Sequence, residues 1–131
     1  KEQHRSKYMS TNEQIVRDFI KAWSTLDVDR IVSFFADDGV YHNMPIAPVS
    51  GRAHLRGFIA AFVKDWSATD WEITNIVAAG PAVFAERIDR TKIGDKTVEL
   101  PCCRVFELQD GKIRMWRDYF DMNTYTRALT G

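Results

Sequence analysis

The chain has 131 residues, with a hydrophobic fraction of 45% and a charged fraction of 27%, proportions that fit one globular domain and exclude a disordered or membrane-spanning chain. Lys plus Arg number 18 and Asp plus Glu number 18, for a formal net charge of zero. Nothing in that balance favours nucleic acid or an anionic membrane as partner, so the expected ligand is small and weakly charged.

Residues 1–9 carry charge but no apolar run, and the reading is a flexible N-terminal segment followed by a single domain over residues 10–131. Cys102 and Cys103 are adjacent in a strand-like stretch, where neighbouring side chains point to opposite faces, so they are poorly placed to pair with each other. His4, His42 and His54 lack metal-ligand spacing, and no metal site is expected. No apolar run approaches the ~20 residues of a membrane span. A reducing, cytoplasmic setting is the expectation.

From Ser10 the pattern is helical. Ser10 with Glu13, or Thr11 with Gln14, offers a capping box, and Ile15, Val16, Phe19, Ile20 and Trp23 recur at helical spacing. Asp27 caps a second, short helix with Val28, Ile31, Val32 and Phe35 as its apolar stripe, ending near Asp38 and Gly39. A brief strand over residues 40–44 stops at Pro45. A loop then leads to a third helix with Leu55, Phe58, Ile59, Phe62, Val63 and Trp66 facing inward.

After Trp66 the period changes from 3.6 to 2. Strands are predicted over residues 71–78, 82–93, 97–108 and 113–122, punctuated by Gly80-Pro81, Gly94-Asp95 and Asp110-Gly111. Pro101 inside the third of these predicts an edge, bulge or bend there. The expectation is an α+β fold: a cone-shaped, curved mixed β-sheet packed on three N-terminal helices, with a pocket between sheet and helices.

Three constellations stand out. In residues 82–93, Val83, Ala85, Arg87, Asp89 and Thr91 share one face while Phe84, Glu86, Ile88, Arg90 and Lys92 share the other. Either the first face looks inward and puts a charged pair at the pocket, or Phe84 and Ile88 face the core and Arg87 and Asp89 are a solvated pair. In the last strand Asp118 falls in the apolar row of Trp116, Phe120 and Met122. Burying that carboxylate costs several kcal/mol without partners, so donors or a cation must lie close, at a functional site or at a structural bend. Tyr41 and Asn43 share a face of the short first strand, where phenol and amide are able to orient a water molecule or simply belong to an ordinary strand and turn.

Together these residues carry a resemblance. Tyr41-His42-Asn43-Met44-Pro45, Glu86-Arg87-Ile88-Asp89, Gly111-Lys112-Ile113 and Trp116-Arg117-Asp118-Tyr119-Phe120-Asp121 occur in the order and spacing of the limonene-1,2-epoxide hydrolase family. The chain resembles that family from about Ser10 to Asp121. The resemblance implies the cone-shaped fold of nuclear transport factor 2 and ketosteroid isomerase, a cofactor-free hydrolase and a homodimer. By position, Asp118 matches the general base, Tyr41 and Asn43 match the residues that hold the nucleophilic water with it, and Asp89 matches the general acid. Arg87 matches the residue bridging the two carboxylates. His42 and the Cys102-Cys103 pair depart from the family pattern.

The implied chemistry sets demands. Opening an epoxide is helped by protonating its oxygen while water attacks carbon from the opposite side, which takes two carboxyl groups with opposite tasks. Two carboxylates, one Arg and one retained proton sum to zero charge, the least costly arrangement to bury beside an uncharged substrate. Trp116, Phe120, Leu100, Cys102 and Trp23 are expected to form the apolar pocket wall, or else plain core. The first reading is therefore hydrolysis of small hydrophobic, cyclic or terpenoid epoxides to vicinal diols, with water as co-substrate. The alternatives are an enzyme like ketosteroid isomerase or a polyketide cyclase, and a small-molecule binding module of the same fold.

Overall fold

The computed structural model describes residues 2–130, with side chains from Thr11 onward. Helix α1 (Glu2–Ala22) begins well before Ser10, so the expected capping boxes lie inside it. The Ser10 side chain falls outside the described residues. Glu13 instead pairs one turn ahead with Arg17 at 2.9 Å, and Gln14 with Asp18 at 2.9 Å, the i,i+4 contacts a helix interior offers. Val16, Phe19, Ile20 and Trp23 bury the predicted stripe.

Helix α2 (Val28–Val32) is capped by Asp27, whose carboxylate accepts the Arg30 amide at 3.2 Å. It stops earlier than the apolar spacing suggests, because Phe35 opens strand β1 (Phe35–Asn43) opposite Ile113. The register then shifts before Val40. Gly39 makes that irregular stretch fit: a Cβ there would lie 2.9 Å from the Phe35 ring and 3.1 Å from the Ile113 carbonyl oxygen. A two-residue strand β2 (Val49–Ser50) pairs with β1 inside the segment that reads as loop, and helix α3 (Arg52–Val63) follows.

The remaining strands are β3 (Trp66–Ala79), β4 (Ala82–Ile93), β5 (Lys96–Gln109) and β6 (Lys112–Tyr119). They make one six-stranded sheet in the order β2-β1-β6-β5-β4-β3. All neighbours are antiparallel except β1 and β6, which run parallel, so the sheet is mixed. Asp110 and Gly111 both take positive φ, 52° and 76°, the conformation that matches a tight hairpin to strand twist. Pairing of β5 with β6 ends at Cys103 and Tyr119. Pro101 therefore lies where β5 has β4 as its sole neighbour, a position that tolerates a missing N–H.

The strand expected over residues 113–122 ends at Tyr119, and a fourth helix, α4 (Met122–Thr130), packs against β5. Asp121 starts it, its carboxylate accepting the Asn123 amide at 2.9 Å. The core lies between the concave sheet face and the helices. Phe19 meets Trp23, Phe34, Phe35, Phe106 and Trp116 edge-on, the geometry that ring quadrupoles favour. Burial of a side chain such as Phe19 contributes about 1.5–3 kcal/mol.

Candidate active site

The sheet decides which side chains meet. On β4 the buried face is Val83, Ala85, Arg87, Asp89 and Thr91, while Phe84 is exposed. Of the two faces the sequence leaves open, the charged one looks inward. On β5, Leu100, Cys102 and Arg104 share that face and are buried. Parallel pairing of β1 with β6 sets Tyr41 beside Trp116 and Asn43 beside Asp118. The Met44 amide fixes this register by donating to the Asp118 carbonyl at 3.0 Å. Arg104 is opposite Asp118 on one side and Ala85 on the other.

Tyr41, Asn43, Arg87, Asp89 and Asp118 thus gather on one concave surface. The Tyr41 hydroxyl is 2.8 Å from Asp118 Oδ2 and 2.7 Å from Asn43 Oδ1. One hydroxyl proton serves only one of them. Donated to Asp118, it leaves the phenol oxygen to accept from the Asn43 amide nitrogen once that amide is turned over, which matches every group. The Tyr41 ring stacks on Trp116 with centroids 3.9 Å apart. Burial pushes its pKa up to about 12, against the pull of Arg104 and Arg87, so the phenol remains a donor at neutral pH.

Asp89 is gripped from two sides. Arg87 donates to it from Nε at 3.2 Å and from Nη2 at 3.0 Å. Arg104 Nη2 donates to Asp89 Oδ2 as well, and Arg104 Nη1 is ion-paired with Asp118 Oδ2. Here the structure departs from the expectation: the guanidinium touching both carboxylates is Arg104's, and Arg87 reaches Asp89 alone. The result is an alternating row, Arg87, Asp89, Arg104, Asp118. Burial pulls the Arg87 guanidinium down and neighbouring Arg104 adds to that. Burial also opposes Arg104, but Asp89 and the other acceptors around it outweigh that and raise it. Both rest on indoles, Arg87 4.0 Å from the Trp71 centroid and Arg104 5.1 Å from Trp71 and 5.5 Å from Trp116.

Above this row opens a cavity. Its polar floor is Tyr41, Asn43, Asp89 and Arg104, and its apolar walls include Phe62, Trp66, Trp71, Leu100, Phe120 and Tyr125. Of the expected wall, Leu100 and Phe120 line the cavity. Trp116 and Trp23 are wholly buried beneath it in the aromatic core, because an indole on the inward row fills the space under the floor. Cys102 is also buried, with its sulfur 3.7 Å from Asp89 Oδ2 and 3.2 Å from Arg104 Nε. Sequence reasoning missed Arg104, although its signal was the one that exposed Asp118: a charge in an otherwise apolar row, here Leu100, Cys102, Phe106 and Leu108. Among the described residues no cluster of three His, Cys, Asp or Glu is placed to hold a metal ion. No described helix is long and apolar enough to cross a membrane.

Comparison with known proteins identifies the family. Residues 10–130 match the model of the limonene-1,2-epoxide hydrolase catalytic domain. Epoxide hydrolase EphG of Mycobacterium tuberculosis is 34% identical over 114 residues, covering 87% of this chain and 76% of EphG. The solved structure of an M. tuberculosis LEH-like epoxide hydrolase superposes with a TM-score of 0.81 at 30% identity, covering 94% of this chain and 95% of that one. An NTF2-like protein from Burkholderia pseudomallei, 18% identical, has a TM-score of 0.82 over 94% of this chain and 100% of its own, a likeness of fold alone. The chain belongs to the limonene-1,2-epoxide hydrolase family.

Proposed function

We propose that the protein hydrolyses small hydrophobic epoxides, cyclic or terpenoid ones such as limonene-1,2-epoxide, to vicinal diols in one step and without a cofactor. One observation carries this reading: two carboxyl groups, Asp89 on the floor of an apolar cavity and Asp118 buried beneath it, meet across the Arg104 guanidinium. Asp118 is the general base. Tyr41 and Asn43 stand between it and the cavity and hold the attacking water with it. Asp89, on the cavity surface, is the general acid.

The step balances. A water O–H bond breaks and its proton passes to Asp118 as the water oxygen forms a bond to an epoxide carbon. The ring C–O bond breaks and its oxygen takes the proton of Asp89. With that proton on Asp89, the row of two guanidiniums and two carboxyl groups carries one positive charge, both before and after the transfer. With Arg87 as the only guanidinium the same sum would be zero; Arg104 makes the difference. The added cation faces the negative charge developing on the departing oxygen, where preorganised positive charge lowers a barrier most.

As part of the same proposal the chain works as a homodimer in the cytoplasm. Val77 and Phe84, paired across β3 and β4, leave exposed apolar surface for a second copy. Cys102 and Cys103 are both free thiols, as a reducing compartment keeps them.

The test is racemic limonene oxide in heavy-oxygen water under single-turnover conditions. The label is expected in the diol and none in the protein. Label in an Asp118 carboxylate would show a covalent ester route, and absence of diol from every epoxide tried would remove the hydrolase reading.

A further inference from the structure

We infer that Arg104 is the positioning residue that joins acid and base in this protein, a role the family resemblance assigns to Arg87. The inference rests on reading Asp118 and Asp89 as base and acid. Each of the three Arg104 side-chain nitrogens has its own partner: Nε the Cys102 sulfur, Nη1 Asp118 and Nη2 Asp89. Arg87 spends Nε and Nη2 on Asp89, while its Nη1 is buried with no hydrogen-bond partner among the described residues. The strand register explains the difference. Arg104 stands directly opposite Asp118, with the small Ala85 on its other flank, whereas Arg87 is opposite Cys102, one strand farther from β6.

The bridge also assigns tasks to the two oxygens of Asp118. Oδ2 receives both Tyr41 and Arg104, while Oδ1 is buried with no hydrogen-bond partner among the described residues. Oδ1 is therefore the oxygen of Asp118 whose lone pairs are left to accept a proton. The charged and titratable groups facing Asp118 are Tyr41 from β1 and Arg104 from β5. Those facing Asp89 are Arg87 from its own strand and Arg104 and Cys102 from β5. Arg104 is the cation common to both lists, so its loss must be felt at both carboxyl groups, and the loss of Arg87 at one.

Two measurements on wild type, Arg104→Met, Arg104→Lys and Arg87→Met test this: the pH–rate profile on an epoxide, and the carboxyl ¹³C signals of Asp118 and Asp89 in the unliganded protein. Arg104→Met is expected to lower kcat on the order of 100-fold, the scale of a misplaced catalytic group. It should also move both limbs of the profile to higher pH, because a cation in contact with both acids has gone. Arg87→Met should move the alkaline limb, where the acid loses its proton, and leave the acidic limb in place. The ¹³C signals of both Asp residues should change in Arg104→Met, and that of Asp89 alone in Arg87→Met.

Arg104→Lys restores charge without the planar fork, so the limbs should return toward wild type while kcat stays low. Its Asp118 signal should still differ from wild type, which keeps the test available should the Met variant fail to fold. The inference is overturned by an Asp118 signal indifferent to both Arg104 variants, or by Arg87→Met moving both limbs. The ¹³C readings need no turnover, so a wild type that forms no diol sinks the hydrolase reading while the bridge is judged on its own.

Discussion

The two carboxyl groups of the buried charged row are the same residue type in opposite surroundings. Asp118 lies wholly buried below the cavity floor, with a neutral phenol and a shared guanidinium on one of its oxygens and no hydrogen-bond partner among the described residues on the other. Asp89 reaches the cavity surface and is held by two guanidiniums with a thiol beside it. One carboxylate is poised and deep, the other clamped and accessible. In the proposed mechanism the two acids differ through the strands that flank them, β1 and β5 for Asp118, β3 and β5 for Asp89, rather than through any property of their own.

Carboxamide substitution at each carboxyl group breaks the comparison most severely. Asp118→Asn removes the proton acceptor and should cost roughly 10⁴ in kcat, while Asp89→Asn should cost roughly 10². The asymmetry follows from charge. An amide at position 89 leaves Arg87, Arg104 and Asp118 with the same single positive charge as the protonated acid, so stabilisation of the departing oxygen survives and proton donation is what is lost. Steady-state rates on one epoxide check this, and equal losses at the two positions would show the two carboxyl groups to be equivalent.

Tyr41→Phe sharpens the comparison more gently. Arg104 still holds Asp118 Oδ2, so the cost should be that of one hydrogen bond, about 0.5–1.5 kcal/mol, in log kcat. The same variant has a signature in stability. The folded phenol titrates at about 12 against an ordinary value of 10, so the native state keeps a proton that the unfolded chain releases between those values. Wild-type stability should fall as pH rises from 10 towards 12, and denaturant melts of Tyr41→Phe should lack that part of the slope.

Much of this was legible from residue order because the strands alternate cleanly. β4 matches its expected bounds, residues 82–93, and Asp110-Gly111 turns as its composition demands. Asp118 betrayed itself as a charge in an apolar row. Arg104 carries the same signal, a charge in an apolar row, but its partner across the sheet depends on a register that no local pattern encodes. Helix α4 was hidden because Asp121 reads equally well as the end of a strand and as a helix cap. The second strand, two residues long, exists through its pairing with β1, and Phe35 is taken from helix to strand by Ile113. In each of these cases a long-range contact overrode the local period.

The early end of β6 divides labour within the chain. Where its pairing with β5 stops at Tyr119, the backbone turns into α4, and this final stretch brings Phe120, Met122 and Tyr125 to the cavity. None of the proton-handling groups comes from it. Substitutions at Met122 and Tyr125 should therefore re-rank bulky and slender epoxides in kcat/KM while leaving the limbs of the pH profile in place. In the proposed mechanism reactivity is written in the strands, while α4 shares the cavity wall with Phe62, Trp66, Trp71 and Leu100, so a lineage editing α4 would retune its diet of epoxides without touching the proton-handling groups.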